Sequence, residues 1–394
     1  MPDDELSPRA LGRALLARQH LLARAPAESD GAGAAERLVG QLVGLQAQNP
    51  TSPYIALWSR LEGFAPPHLA ATLADRRTAR VAAMRSTVHL LTAQDALTLP
   101  VLTARTLSRE TRGLSAAELD RIAVRARELL ERTPMRPTQL GLALAAELPH
   151  DPPSDLAYAA RCLLSLVQVT PRGQWGASMA TTWTTAESWL GPETVAAAPD
   201  LHDPDVRAEV VGDLVLRYLA AFGPASVADV QAWSGMTRLA PVVQALGDRV
   251  LHLRPLAARA GRNRTVLLDV PDAPRPDEDT PAPVRLLPDF DNVVLSHADR
   301  TRIVPEDVRR RLVTPNGSGP GTVLVDGQVG GVWRLRRERG TAGAGAPGSV
   351  TLRVEPFVHL SAQQRDELDT EAHGVLTLLA GDVADRRIEV AAAS

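Results

Sequence analysis

The stretch from residue 205 to residue 270 constrains the fold more than any other, because breaks, caps and apolar periodicity alternate there in a fixed order. Val206 to Phe222 places apolar residues at helical spacing, and Gly223-Pro224 ends that helix. Ser226 is positioned to cap a short helix through Val230 to Trp233. Ser234-Gly235 then turns the chain, and Thr237 is expected to cap a second helix through Val243 to Leu246. Val250 to Leu253 and Thr265 to Val270 read as strands, joined by a loop carrying Arg259, Arg262 and Arg264. Helix, short helix, turn, helix and hairpin is the winged-helix order.

The same order recurs upstream. Leu119 to Arg132 reads as a helix, Thr133 to Thr138 repeats the break and cap, and Gln139 to Glu147 repeats the short helix. Tyr158 to Ser165 follows, and Leu166 to Thr170 with Pro171-Arg172-Gly173-Gln174 supplies a strand and wing tip. A looser third copy occupies the first hundred residues: Leu11 to Leu22 and Ala34 to Val43 are helical, and Ser52 is expected to cap a helix with Pro53 at its first position. Tyr54, Leu57, Trp58 and Leu61 form the buried stripe of that helix, and Val81 to Met84 with Val88 to Leu91 reads as a short hairpin. Repetition of one supersecondary unit is an organisational signal in itself.

Beyond a Pro- and Asp-rich linker at 271–283 the pattern changes. Val284 to Leu287, Thr322 to Val325, Gly331 to Leu335 and Val350 to Val354 read as strands, and Ala362 to Leu379 as a closing helix. Aromatic residues make up only 3% of the chain, so Leu, Val and Ala supply the core, a balance that favours helices. The expected class is therefore α+β and helix-rich: winged-helix units at 1–100, 101–200 and 201–282, then a mixed β/α region with a β-hairpin at 283–394.

Composition narrows the function classes. The single cysteine, Cys162, excludes an internal disulfide, and no Cys/His cluster has metal-ligand spacing, so neither metal nor cofactor is expected. No apolar run reaches bilayer length and the N-terminus lacks signal-peptide order, which points to a soluble cytoplasmic protein associated with the nucleoid in use. The absence of a long heptad points to a monomer. The net charge of −3 argues against a nucleic-acid binder until its distribution is considered. Arg76, Arg77, Arg80 and Arg85, then Arg300 and Arg302, then Arg334, Arg336, Arg337 and Arg339 form local clusters. All 43 basic side chains are arginine, so no lysine amine is available for a Schiff base.

Few residues are arranged for chemistry. There is no phosphate loop, no Gly-x-Ser-x-Gly elbow and no His-Glu-x-x-His. Asp289 and Asp291 flank Phe290 and read either as metal ligands or as capping carboxylates of a turn. Ser296-His297-Ala298-Asp299-Arg300 reads either as an acid-base pair or as a structural salt bridge. His89 lies alone in a strand, as a core or groove residue rather than a ligand. In the hairpin, Trp333 and Leu335 alternate with Arg334 and Arg336 and face Leu352 and Val354 across a Gly-rich tip. Its guanidinium face is either a nucleic-acid contact or a solvated strand face. Gln46-Ala47-Gln48-Asn49-Pro50 completes the set: Pro50 keeps Asn49 extended, so both amides share one side of the chain.

Taken together, Leu45-Gln46-Ala47-Gln48-Asn49-Pro50, Met84-Arg85-Ser86-Thr87-Val88-His89-Leu90, Leu287 to Asn292 and Ser296 to Arg302 resemble, in order, the AlkZ/YcaQ family of bacterial DNA glycosylases. The resemblance runs from about residue 7 to about residue 390, and its Gln-x-Gln form is that of the AlkZ branch, which is linked to self-resistance against DNA-alkylating natural products. It implies that Gln46 and Gln48 position water at a glycosidic bond and that a hairpin engages DNA. The expected partner is double-stranded DNA carrying alkylated guanine, with Ser52, Arg85, His89, Arg300, Arg302, Arg334, Arg336 and Arg353 as expected DNA contacts. A non-enzymatic winged-helix regulator and a protein-protein scaffold are the competing readings.

Overall fold

Proline and short polar caps set most helix starts in this chain, and the computed structural model follows them. It describes residues 5–108, 111, 113–148, 152–255, 266–312, 319–338 and 348–393. Helix Pro8–Arg18 begins with Pro at its first position behind the Ser7 cap, and Pro204–Phe222 does the same behind Asp203. Capping boxes open Ala116–Arg132 (Ser115 with Glu118), Val227–Ser234 (Ser226 with Asp229) and Ala362–Ala380 (Ser361 with Gln364). Gly235 closes Val227–Ser234 in the left-handed conformation, which a residue without Cβ adopts at least cost.

The fold is α+β and helix-rich, as expected. The helix, turn, helix and hairpin order stands over 204–269, ending in antiparallel strands Leu251–Pro255 and Leu267–Asp269. It stands again over 116–185, ending in antiparallel strands Leu166–Gln168 and Trp183–Thr185. Two expected caps are misplaced. Helix Ala240–Ala245 starts three residues after Thr237 and has Leu239 at its cap. Helix Ser52–Trp58 already includes Ser52, whose hydroxyl turns away to another partner. The loop with Arg259, Arg262 and Arg264, the greater part of the Gly-rich tip, and Arg339 lie outside the described residues.

Sheet pairing crosses the expected unit boundaries. Strands Leu45–Gln46, Thr78–Ala82 and Val88–Thr92 join Leu166–Gln168 and Trp183–Thr185 in one five-stranded sheet. The N-terminal strand Glu5–Leu6 adds in parallel to Leu251–Pro255. Arg285–Leu287, Gly321–Val325, Gln328–Glu338 and Ser349–Pro356 form an antiparallel sheet, to which Asp385–Val390 adds in parallel. That last strand has no counterpart in the sequence reading, because it is mostly exposed and lacks an apolar face.

Buried arginines tie these pieces together. Arg60 meets Asp291 in a bidentate pair at 3.0 and 2.8 Å, with both side chains withdrawn from solvent (0% and 1% exposed). It also donates to the Ala56 carbonyl and to Gln19. Arg18 holds Asp269 in the same way, and Arg13 reaches Asp326 and the Thr280 carbonyl. Helix Pro8–Arg18 is thereby linked to the strands near 269 and 326.

Removing one member of a buried pair leaves the other charge uncompensated, so Asp291→Ala is expected to lower unfolding free energy by about 3–5 kcal/mol. Replacing both partners with apolar residues, Arg60→Met with Asp291→Leu, is expected to recover most of that loss. Urea denaturation of the single and double variants checks both.

Candidate functional site

The two glutamines sit where strand Leu45–Gln46 runs out. Gln46 pairs across the ladder with His89, Ala47 N–H donates to the Val88 carbonyl, and the strand ends there. The side chains continue the ladder by other means. Gln48 Oε1 accepts the Val88 N–H at 3.3 Å, and Gln46 Oε1 accepts the Gln48 N–H at 3.3 Å. An N–H can donate only to the oxygen of an amide, so these bonds set which end of each glutamine faces inward. Gln46 is buried at 8% exposure while Gln48 is exposed. Each carbonyl keeps one further lone pair, and neither amide NH₂ has another partner among the described residues.

His89 lies beside Gln46 on the same face of the sheet, since opposed residues of an antiparallel pair project together. Its Nδ1 is 3.0 Å from the Thr87 carbonyl, which can only accept, so Nδ1 carries the hydrogen. Nε2 is then a lone pair, buried and without a partner among the described residues. Burial, and next the Arg85 charge, lower the His89 pKa to about 3, so the ring is neutral at neutral pH.

The Asp289 turn reaches the same place from the other end of the chain. Ser52 Oγ donates to Asp289 Oδ1, and the Asn49 side chain also bonds this carboxylate. Asn49 Oδ1 accepts the Thr51 N–H at 3.1 Å, which leaves its amide nitrogen to donate. Burial pushes the Asp289 carboxyl above its ordinary value, against the lowering effect of these hydrogen bonds. Asp291, two residues on, caps helix Asn292–Leu295 while held by Arg60. Phe290 between them has φ of 55°, a left-handed conformation uncommon for an aromatic residue. Trp333 Nε1 donates to the Leu287 carbonyl at 2.8 Å and fixes the entry to the turn. A Cβ on Gly321 would lie 2.2 Å from the Trp333 ring, so only glycine leaves room for it there.

Asn49, Thr51, Trp175, Asp289, Trp333 and Arg334 line a groove of about 1090 Å³. Trp175 is set by packing on Tyr54, with ring centroids 4.8 Å apart. Neither glutamine is on the groove wall itself; Asn49, next to Gln48, is.

The expected DNA contacts divide into two groups. Ser52 is buried on Asp289, and Arg85 donates to the Trp233 carbonyl at 2.8 Å, its pKa lowered to about 10 by burial and then by Arg300. His89 is buried in the sheet, and Arg302 is buried against the Pro224 carbonyl at 2.7 Å. These four are turned inward, and Ser52, Arg85 and Arg302 are held there by partners far along the chain. Arg300 is half-buried beside Arg309, and both line a smaller cavity behind Phe290. Arg334, Arg336 and Arg353 stay on the open face of the hairpin, 50, 78 and 57% exposed, near Glu355 and Glu338.

Two open alternatives are also resolved. His297 Nε2 lies 3.1 Å from the Phe222 carbonyl, and Asp299 accepts from Thr301, so the 296–300 segment is neither an acid-base pair nor an internal salt bridge. Among the described residues, no group of three or more His, Cys, Asp or Glu is placed to hold a metal. No helix among them is long and apolar enough to cross a membrane.

Sequence reasoning missed Asn49 and Asp289 as groove residues. The Asp289-x-Asp291 spacing was the available signal, but nothing in it reveals that one carboxylate is neutralised by arginine and the other is not.

Comparison with known proteins agrees with this architecture. The chain superposes on the Streptomyces sahachiroi DNA glycosylase AlkZ with a TM-score of 0.74 at 18% identity, covering 98% of this chain and 100% of that one. At that identity the likeness speaks for the fold. No curated protein sequence matches. The family model for "DNA glycosylase AlkZ-like" matches residues 39–378, a span that holds both glutamines, the Asp289 turn and the hairpin. The chain belongs to the AlkZ-like DNA glycosylase family.

Proposed function

We propose that this protein is a monofunctional glycosylase that hydrolyses the N-glycosidic bond of bulky N7-alkylguanine in duplex DNA, including interstrand crosslinks. The product is an intact abasic site, and the biological role is self-resistance to a DNA-alkylating natural product. The observation that carries this reading is the pair of neutral amides, Gln46 and Gln48, anchored by backbone N–H groups beside a groove bordered by exposed arginine.

Alkylation at N7 puts a positive charge on the base, so it departs without protonation by an acid. What the protein must supply is a placed water molecule and dipoles for the sugar cation. Backbone anchoring suits the glutamines to this task, because it limits the rotation of two otherwise flexible side chains. The remaining lone pairs and the NH₂ groups are the parts that meet water and sugar, rather than wholly free carbonyls. Arg334 and Arg336 of the third arginine cluster, with Arg353 across the hairpin from Arg334, stay largely open and are suited to phosphate contact. An open groove tolerates an adduct too large to be swung into a tight pocket. The protein acts as a monomer on DNA in the nucleoid.

The test uses a duplex carrying one nitrogen-mustard N7-guanine monoadduct, with mild alkali to reveal abasic sites. Gln46→Ala and Gln48→Ala are each expected to slow single-turnover release by about 10²-fold. Equal release by wild type and both variants would overturn the role given to the glutamines, and absence of release by wild type would overturn the glycosylase reading and favour a non-enzymatic DNA binder. Since the chain has no lysine, strand cleavage should require the alkali and borohydride should trap no adduct. Each of Arg334→Ala, Arg336→Ala and Arg353→Ala should reduce the slope of log affinity against log salt by about 1 for a phosphate contact, with release at saturating enzyme unchanged.

A further inference from the structure

From the groove geometry we infer that Asp289 is a catalytic carboxylate of this glycosylase, facing the sugar cation and taking the proton of the attacking water. The inference rests on the base-excision reading above and adds to it a residue that neither glutamine can replace.

The amides lack a site for a proton. Each glutamine oxygen already accepts a backbone N–H, and an amide does not hold a proton at neutral pH. The pair can orient water but cannot receive the proton that water loses. Asp289 lines the groove together with Asn49, the residue after Gln48. Hydroxyl and amide donors from Ser52 and Asn49 orient it. Unlike Asp291, Asp269 or Asp326, it forms no ion pair among the described residues. The other charged side chains on the groove wall are Arg334 and Arg337 from the hairpin and Asp382 beyond the closing helix, and none is paired with Asp289. A carboxylate without a counter-cation in a partly dehydrated site is suited to stabilise a developing positive charge.

In the step itself the C1′–N9 bond breaks, and its electron pair passes to the base, neutralising the charge at N7. The sugar, left with a positive charge shared between C1′ and the ring oxygen, is stabilised by the Asp289 carboxylate. Water forms the new O–C1′ bond, its proton goes to Asp289, and the carboxyl later releases that proton to solvent. Trp333 on Leu287 and Ser52 on the carboxylate itself are positioning residues for this group.

The experiment measures single-turnover release from the nitrogen-mustard monoadduct duplex, corrected for enzyme-free release, from neutral pH into the acid range. DNA affinity and thermal melting are recorded alongside. Wild type should lose rate as acid protonates Asp289, with the midpoint above the ordinary carboxylate value because burial raises it. Asp289→Asn keeps the size and an acceptor for Ser52; it should slow release by about 10²-fold, bind DNA as wild type does, and show no acid limb. Asp289→Glu, which keeps a carboxylate, should recover part of the rate together with the acid limb. Release by Asp289→Asn within about threefold of wild type would overturn the inference, as would a slow variant whose acid limb persists, since that marks a merely structural role. Loss of release in Gln46→Ala with full release in Asp289→Asn would remove Asp289 alone and leave the glutamine reading standing. Absence of release by wild type would overturn both.

Discussion

The bidentate contact between Arg60 and Asp291 is the constraint on which the site depends. It joins the end of the first helical region to a turn more than two hundred residues later, and both charges lie out of water. Such a pair adds little net stability, because desolvation offsets most of the attraction. Its value is positional: a guanidinium fork that fits two carboxylate oxygens allows one arrangement, whereas apolar packing tolerates several. With Asp291 held, Asp289 is set over Ser52 and Asn49, and the left-handed Phe290 between them has little freedom to relax. Trp333 secures the same turn from the hairpin side.

Arginine therefore has two different roles in this chain. In some positions it is internal framework: Arg18 on Asp269, Arg60 on Asp291, Arg302 on the Pro224 carbonyl. In others it stays in water, as on the hairpin strands Gln328–Glu338 and Ser349–Pro356. Charge clusters in sequence do not separate the two roles. Arg76, Arg77, Arg80 and Arg85 are close in sequence, yet Arg76 lies over the Trp189 ring, Arg77 pairs with Glu36, Arg80 is buried, and Arg85 is half-buried against the Trp233 carbonyl. Arginine suits the internal role because its fork satisfies several acceptors at once.

The site brings together segments with opposite demands. The glutamine loop ends a strand, and without other acceptors the Val88 N–H would have no partner. Gln48 supplies an acceptor from its own side chain, so the residue that completes the sheet edge is also the one proposed to meet water. Asp289 combines burial with the lack of a cation. A purely structural carboxylate would be expected to have a cationic partner such as the Arg60 that holds its neighbour Asp291, and Asp289 has only neutral donors.

Local signals made much of this protein legible. Ser226 with Asp229 and Gly235 at the far end bound a helix whatever surrounds them, because caps act within one turn. Strand alternation placed Trp333 and Leu335 opposite Val354 and Leu352, since a period of two leaves only one apolar face. The helix order was readable for the same reason, whereas Gln46 with Gln48 stood out only through the family resemblance of the motifs around them. Thr237 and Ser52 show the limit: each looks like a cap, but Leu239 holds one position and Asp289 draws away the other hydroxyl. Only tertiary structure decided which arginines face solvent, that strands from the first two hundred residues share a sheet, and that Asp289 joins Asn49 in one groove. These are contacts between residues far apart in the chain, and they depend on which surfaces meet when the pieces close, which local periodicity does not encode.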